Sequence, residues 1–171
     1  FSKKINNHYM TPCYVILFLV LTQGIVGWYM VKSGLVNNIT VSHYRLALHL
    51  TIAFVIISTI FWVFINAKKK TYKFFFKFTK NNLPFLFLIF LIFLQITLGA
   101  FVSGLDAGKI YQTWPLMNNS YFPDDLKILN PNILLDFKNH SLVQFYHRNL
   151  AYLIIVYISV LSFFIYRFEI E

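Results

Sequence analysis

The chain has 171 residues, 58% of them apolar and only 12% charged, with a mean hydropathy of +0.61. That composition excludes an ordinary soluble domain and fits a polytopic membrane protein. The net charge of +9 does not point to nucleic acid, because the lysines flank apolar runs, and a single cysteine, Cys13, leaves no internal disulfide or cysteine-based metal cluster.

The chain begins at Phe1 without a signal-peptide pattern, and we expect residues to precede it. Apolar runs then follow at Pro12–Val31, Tyr44–Ile65, Leu83–Leu105 and Leu142–Tyr166. Each is about 20 residues or more, enough at ~1.5 Å per residue to cross a ~30 Å hydrocarbon core. Backbone groups in lipid must pair within their own segment, so each run is expected to be helical. The expected fold is all-α, with four transmembrane helices. Pro12 and Pro84 are expected in first turns, where a missing N–H is tolerated.

The connections set the orientation. The segment Asn66–Asn82 holds Lys68, Lys69, Lys70, Lys73, Lys77 and Lys80 and no acid, so it belongs on the cytoplasmic or matrix side. Lys3 and Lys4 before the first run and Arg167 after the last fall on the same side. The Lys32–His43 and Asp106–Ser141 connections then face outward. The second is long for a helix connection and rich in aromatics and proline, which marks it as functional. Pro123 before Asp124 and Asp125, and Asn130 before Pro131, read as two starts of short helices lying along the surface.

The first and third runs share a faint repeat. Gln23, Gly27 and Ser33-Gly34-Leu35 in one correspond to Gln95, Gly99 and Ser103-Gly104-Leu105 in the other. Each run is followed by an outward loop and then by a helix with a histidine near its outer end. Duplicated helix groups are common in membrane proteins.

Those histidines, His49 and His147, lie about five residues inside their runs, roughly 8 Å below the outer boundary at ~1.5 Å per residue. Ala53 and Ala151 sit one turn deeper on the same faces. Gly24, Gly27 and Gly99 offer room on neighbouring helices. Arg45 stands one turn above His49, and Arg148 adjoins His147. Imidazole for iron, a slot for a flat ring and a cation for carboxylate arms together suit a haem. A single membrane histidine near an interface is more often a hydrogen-bonded packing residue, and an arginine at a helix end usually snorkels to the headgroups. It is the pairing of the two sets that favours a ligand role. His8, His43 and His140 are assigned no role.

Several stretches together resemble the haem A synthase family, whose members oxidise a methyl group of haem O to the formyl group of haem A. They are Gly27-Trp28-Tyr29-Met30-Val31-Lys32-Ser33-Gly34-Leu35, Val41-Ser42-His43-Tyr44-Arg45-Leu46-Ala47-Leu48-His49-Leu50, Gly99-Ala100-Phe101-Val102-Ser103-Gly104-Leu105-Asp106-Ala107-Gly108 with Trp114-Pro115-Leu116-Met117, and Val143-Gln144-Phe145-Tyr146-His147-Arg148. The resemblance covers almost the whole chain. It implies half of an eight-helix fold built from two pseudo-symmetric four-helix bundles, with these runs as the third to sixth helices. Residues 1–82 would then belong to the N-terminal bundle and residues 83–171 to the C-terminal one.

The same resemblance implies that His49 and His147 are iron ligands, His49 toward the substrate haem O and His147 toward a haem b cofactor. Arg45 and Arg148, with Asp106 and Lys109, are expected from their charge and position to hold the carboxylate arms or shape the loop, and the catalytic residues are left unknown. The remaining helices, including an acidic outer loop, would lie elsewhere, so the chain reads as a fragment that completes no turnover alone. Lacking a cysteine pair, it is similar to the alphaproteobacterial and mitochondrial branch. The location implied is a bacterial or mitochondrial inner membrane. The implied partners are haem O, membrane lipid, a haem O synthase, an electron donor and a second copy of the chain; nucleic acid is not among them.

The alternatives are a non-catalytic b-type dihaem electron-transfer subunit and a small transporter or assembly factor with histidine proton relays. Product analysis separates the first from a synthase, and a haem spectrum separates both from the last. The orientation has its own test. Lys69→Cys should react with an impermeant thiol reagent only from the cytoplasmic or matrix side; labelling from the outside would reverse the topology.

Overall fold

A computed structural model describes residues 7–34, 41–69, 79–126 and 134–168. Its long helices are α1 (Asn7–Gly34), α2 (His43–Lys68), α3 (Leu83–Gly104) and α4 (His140–Phe168). All of them are long and apolar enough to cross a membrane. The expected all-α fold with four such helices is therefore what forms, and each expected run lies within or against one helix. Three of the helices run a few residues past the apolar boundaries, because the backbone ladder continues until a cap or turn ends it. Pro84 stands in the first turn of α3 as expected. Pro12 does not: α1 starts at Asn7 and encloses it. A proline there donates no bond to the preceding turn, so the first turn of α1 is held less tightly than the rest.

The helices pack in chain order, α2 against α1 and α3, and α3 against α4. Polar side chains inside the spans turn back onto carbonyls of their own helix. Thr22 donates to Phe18 O at 2.9 Å, Thr59 to Val55 O at 2.7 Å and Ser159 to Ile155 O at 2.8 Å. A hydroxyl in hydrocarbon has few other partners. Two cross-helix contacts complement these. Thr51 and Thr97 hydroxyls are 3.4 Å apart between α2 and α3, and the Tyr157 hydroxyl donates to Pro84 O at 3.0 Å between α4 and α3.

The buried core sits in the outer half of the bundle. It joins Ala47 of α2, Leu98, Ala100 and Phe101 of α3, and Val143 of α4. Small residues make this closeness possible. Gly104 lies against the start of α2, where a β-carbon would fall 2.9 Å from His43 Cα. His43 is itself buried there, with Phe101 edge-on at 5.4 Å. Elsewhere the spans present Leu17, Phe18, Ile57, Phe61, Phe90 and Phe163 outward, as a surface solvated by lipid or by further helices would.

The outer connection is fastened to this core. Residues Ala107–Lys109 form a 3-10 turn entered through Asp106 at φ 53°, a left-handed conformation that aspartate tolerates. The exposed Lys109 pairs with Asp106 at 2.8 Å, which holds that carboxyl below its usual range. Tyr111 and Met117 are buried, and a cis peptide joins Trp114 to Pro115. Buried Gln144 of α4 grips the backbone of Tyr111 at both ends. Its amide nitrogen donates to Tyr111 O at 2.8 Å, and its oxygen accepts from Tyr111 N–H at 3.3 Å. Burial and a bond to Asp125 at 2.7 Å both raise the Tyr111 pKa, so the phenol stays protonated and keeps donating.

The first expected surface helix is only a 3-10 turn, Asp124–Leu126, anchored by buried Leu126. The start expected at Asn130–Pro131 lies outside the described residues, as do Lys70, Lys73 and Lys77 of the lysine cluster.

Two substitutions test this packing. Gly104→Ala should cost about 1–3 kcal/mol, because the new methyl meets backbone that cannot give way. Gly24→Ala, with nothing within 4 Å of the added carbon in this chain, should not destabilise; thermal unfolding in detergent compares the two. Gln144→Leu should strand a buried N–H at a cost of about 1–3 kcal/mol. Hydrogen exchange at the Tyr111 amide should then speed up, and unchanged exchange would show that the loop is held by other contacts.

Candidate functional site

His49 and His147 are both half-buried and both turn toward the preceding helix of their pair. In the α1–α2 pair, His49 Nε2 lies 3.1 Å from the Gln23 amide nitrogen. A β-carbon on Gly27 would stand 3.0 Å from His49 Cε1. In the α3–α4 pair, His147 Nε2 lies 3.4 Å from the Gln95 amide nitrogen, and a β-carbon on Gly99 would stand 3.1 Å from His147 Cε1. Each ring thus occupies a cradle that any larger residue at the glycine would fill. The two halves of the faint repeat have become the same three-residue device.

The local reason is helical spacing. Gln23 and Gly27, like Gln95 and Gly99, are four residues apart and share one helix face. The glutamine holds one ring nitrogen while the glycine admits the ring. In both pairs the other ring nitrogen, Nδ1, is buried without a hydrogen-bond partner, and so is the glutamine Oε1. An unpaired buried imidazole nitrogen is costly and calls for a partner. The depths also correspond. His49 is six residues from the start of α2 at His43, and His147 seven from the start of α4 at His140, so both lie roughly 10 Å down at ~1.5 Å per residue.

The arginines stand at the outer rim beside these rings and are occupied differently. Arg45, one turn above His49, lies over the Tyr29 ring of α1 at 5.1 Å, a cation–π contact. Arg148 donates to the loop carbonyls of Tyr111 at 2.6 Å and Thr113 at 2.8 Å, and reaches that of Leu116 at 3.5 Å. Its guanidinium therefore holds the loop down on the turn that carries His147. Asp106 and Lys109 pair with each other on the exposed loop.

The sequence singled out the two histidines, the two arginines and the two glycines, and of these the structure brings the glycines against the rings and directs the arginines to Tyr29 and to the loop. It did not reveal that Gln23 and Gln95 would touch the rings, nor that Gln144 would clasp the loop. The available signal was an amide inside an otherwise apolar run, as in FLIFLQITLGAF. Gly24, also considered as room for a ring, faces open space. Among the described residues no group of three or more histidine, cysteine, aspartate or glutamate side chains could hold a bare metal ion. What the geometry offers at each site is one imidazole nitrogen, Nδ1, buried and without a hydrogen-bond partner.

The profile of the family described as cytochrome oxidase assembly protein matches residues 1–170. A haem A synthase of Pelagibacter ubique is 46% identical over 163 residues, covering 94% of this chain and 47% of the relative. Those of Wolbachia pipientis wMel and Rickettsia africae are 42% and 38% identical, covering 94% and 99% of this chain but 46% and 50% of their own lengths. The chain thus spans about half the length of the curated relatives it matches. No solved structure matches it. The four spans, the order of the motifs and these matches together make the chain a multi-pass membrane member of the cytochrome oxidase assembly protein family.

Proposed function

We propose that this chain is the central part of a haem A synthase, the enzyme that oxidises the methyl group of haem O to the formyl group of haem A for cytochrome oxidase. The observation that carries the reading is the duplicated cradle: Gln23, Gly27 and His49 in one helix pair, Gln95, Gly99 and His147 in the other. Two imidazoles at matching depth, each with one buried nitrogen lacking a partner, would each be able to hold one haem. The names of the relatives support a synthase over a b-type electron carrier, for which no separate observation speaks.

His147 would hold a haem b cofactor and His49 the substrate haem O. Any partner residues for His49 and His147 in holding these groups would come from parts of the whole protein beyond these residues. Residues 1–82 and 83–171 would then contribute to two bundles, one haem to each. When bound, haem iron supplies the redox chemistry of the methyl oxidation. The residues of this chain bind and orient. The cradles set how far each ring enters the bundle, and the loop pinned by Gln144 and Arg148 shields the outer end of α4 from water. Arg45 and Arg148 would favour anionic propionates near the rim through their charge. The whole protein would reside in a bacterial or mitochondrial inner membrane, receive its substrate from a haem O synthase, draw on an electron donor and self-associate.

Alanine substitutions in the full-length protein test the assignment. His147→Ala should abolish bound haem b, while His49→Ala should retain it and lose turnover of haem O. Optical spectra and extracted haem content distinguish the outcomes. Retention of a wild-type low-spin spectrum by His147→Ala would remove the cofactor assignment, and loss of that same haem in His49→Ala would exchange the two sites.

A further inference from the structure

The connection that follows α3 does not stay above the end of α4. Between Tyr111 and Phe122 it runs down the side of that helix. Gln144 grips the Tyr111 backbone, the Phe122 ring meets Phe145 edge-on at 5.2 Å, and the Tyr121 hydroxyl donates to Asn149. These partners lie four to nine residues past the start of α4 at His140, roughly 6 to 14 Å along it at ~1.5 Å per residue. The segment is thus level with the first apolar turns of α4.

The chemistry of the stretch suits that level. From Ile110 to Pro123 no side chain is charged, whereas Asp106, Lys109, Asp124 and Asp125 bracket it. Irregular backbone at membrane depth is tolerated where the protein itself satisfies the polar groups, and here much of it is paired. Arg148 donates to the carbonyls of Tyr111, Thr113 and Leu116. The Met117 N–H donates to Ser120 O at 2.8 Å, and the Asn118 N–H to the Thr113 hydroxyl at 2.8 Å. Met117 and Pro123 are buried, while Trp114 is 74% exposed and Ile110, Leu116 and Tyr121 are exposed with it.

We propose that residues 110–123 form an interfacial loop whose Trp114-Pro115-Leu116 tip is inserted into the outer leaflet, at the boundary between headgroups and acyl chains. Tryptophan and tyrosine concentrate at that boundary because each joins an apolar ring to a polar handle. The outer end of α1 presents the same kind of residue. Exposed Trp28, with Lys32 over its ring at 4.7 Å, stands six residues before the end of α1 at Gly34. The neutral polar residues of the loop select lipid over protein as the occupant. Gln112, Asn118 and Asn119 flank the tip in sequence and are exposed. A docked apolar helix would strip water from these amides without replacing it, which is costly. Headgroups and their water solvate them while the indole and Leu116 enter the chains. This surface does not depend on the haem reading.

The test places one nitroxide label at a time in the full-length protein, cleared of other cysteines by Cys13→Ser and its equivalents. The protein is reconstituted in vesicles of phosphatidylethanolamine and phosphatidylglycerol. Oxygen, which partitions into lipid, and a water-soluble nickel complex serve as the two collision reagents. Labels at Trp114→Cys and Leu116→Cys should collide more with oxygen than with nickel, and a label at Lys109→Cys should do the reverse. More nickel than oxygen at both tip positions would put the loop in water and overturn the proposal. Shielding of both positions from both reagents would put the tip against protein and overturn it equally. Spin–spin broadening that fades on dilution with unlabelled protein would then identify the cover as a second copy, and its absence as another part of the same chain. If Trp114→Cys does not fold, the label at Leu116→Cys decides the outcome alone.

Discussion

An imidazole placed inside a membrane helix pair needs a polar partner from the facing helix, because hydrocarbon supplies none. That requirement organises this chain. It explains why α1 and α3 each carry a glutamine in an otherwise apolar face and why a glycine follows one turn later. It also explains why each helix pair is closely apposed at its outer half. The buried core, from Ala47 to Val143, joins α2, α3 and α4 and so keeps α3 and α4 at the separation the His147 cradle requires.

The helices themselves were legible because hydrophobicity and length decide them almost without competition. A run of twenty apolar residues in lipid has one stable backbone solution. Boundaries were less legible, and Pro12 shows why. A proline near the start of an apolar run reads as a first-turn residue, yet polar residues before it, from Asn7 onward, extend the helix beyond the apolar stretch. Hydropathy marks where lipid begins, not where the hydrogen-bond ladder does.

The outer loop was the hardest part to read. Pro123 followed by two aspartates is a fair helix-start signal, but three residues of 3-10 turn are what form. Local propensity is outweighed there by the need to bury Leu126 and to keep Asp125 within reach of the Tyr111 hydroxyl. The site lay between these extremes. Matching offsets of His49 and His147 and the repeated glutamine–glycine spacing were visible along the chain. The contact of each glutamine with a ring nitrogen was not, since it depends on how two antiparallel helices rotate against each other, which no single run encodes.

The manner in which Arg148 is held has an electrostatic consequence. Its hydrogen bonds go to the backbone carbonyls of Tyr111, Thr113 and Leu116, which are dipoles and not ions. They solvate the guanidinium in place of water but leave its full positive charge on the protein. Among the described residues no carboxylate is its hydrogen-bond or ion-pair partner. The outer end of α4 therefore carries a standing positive pole fixed by the fold.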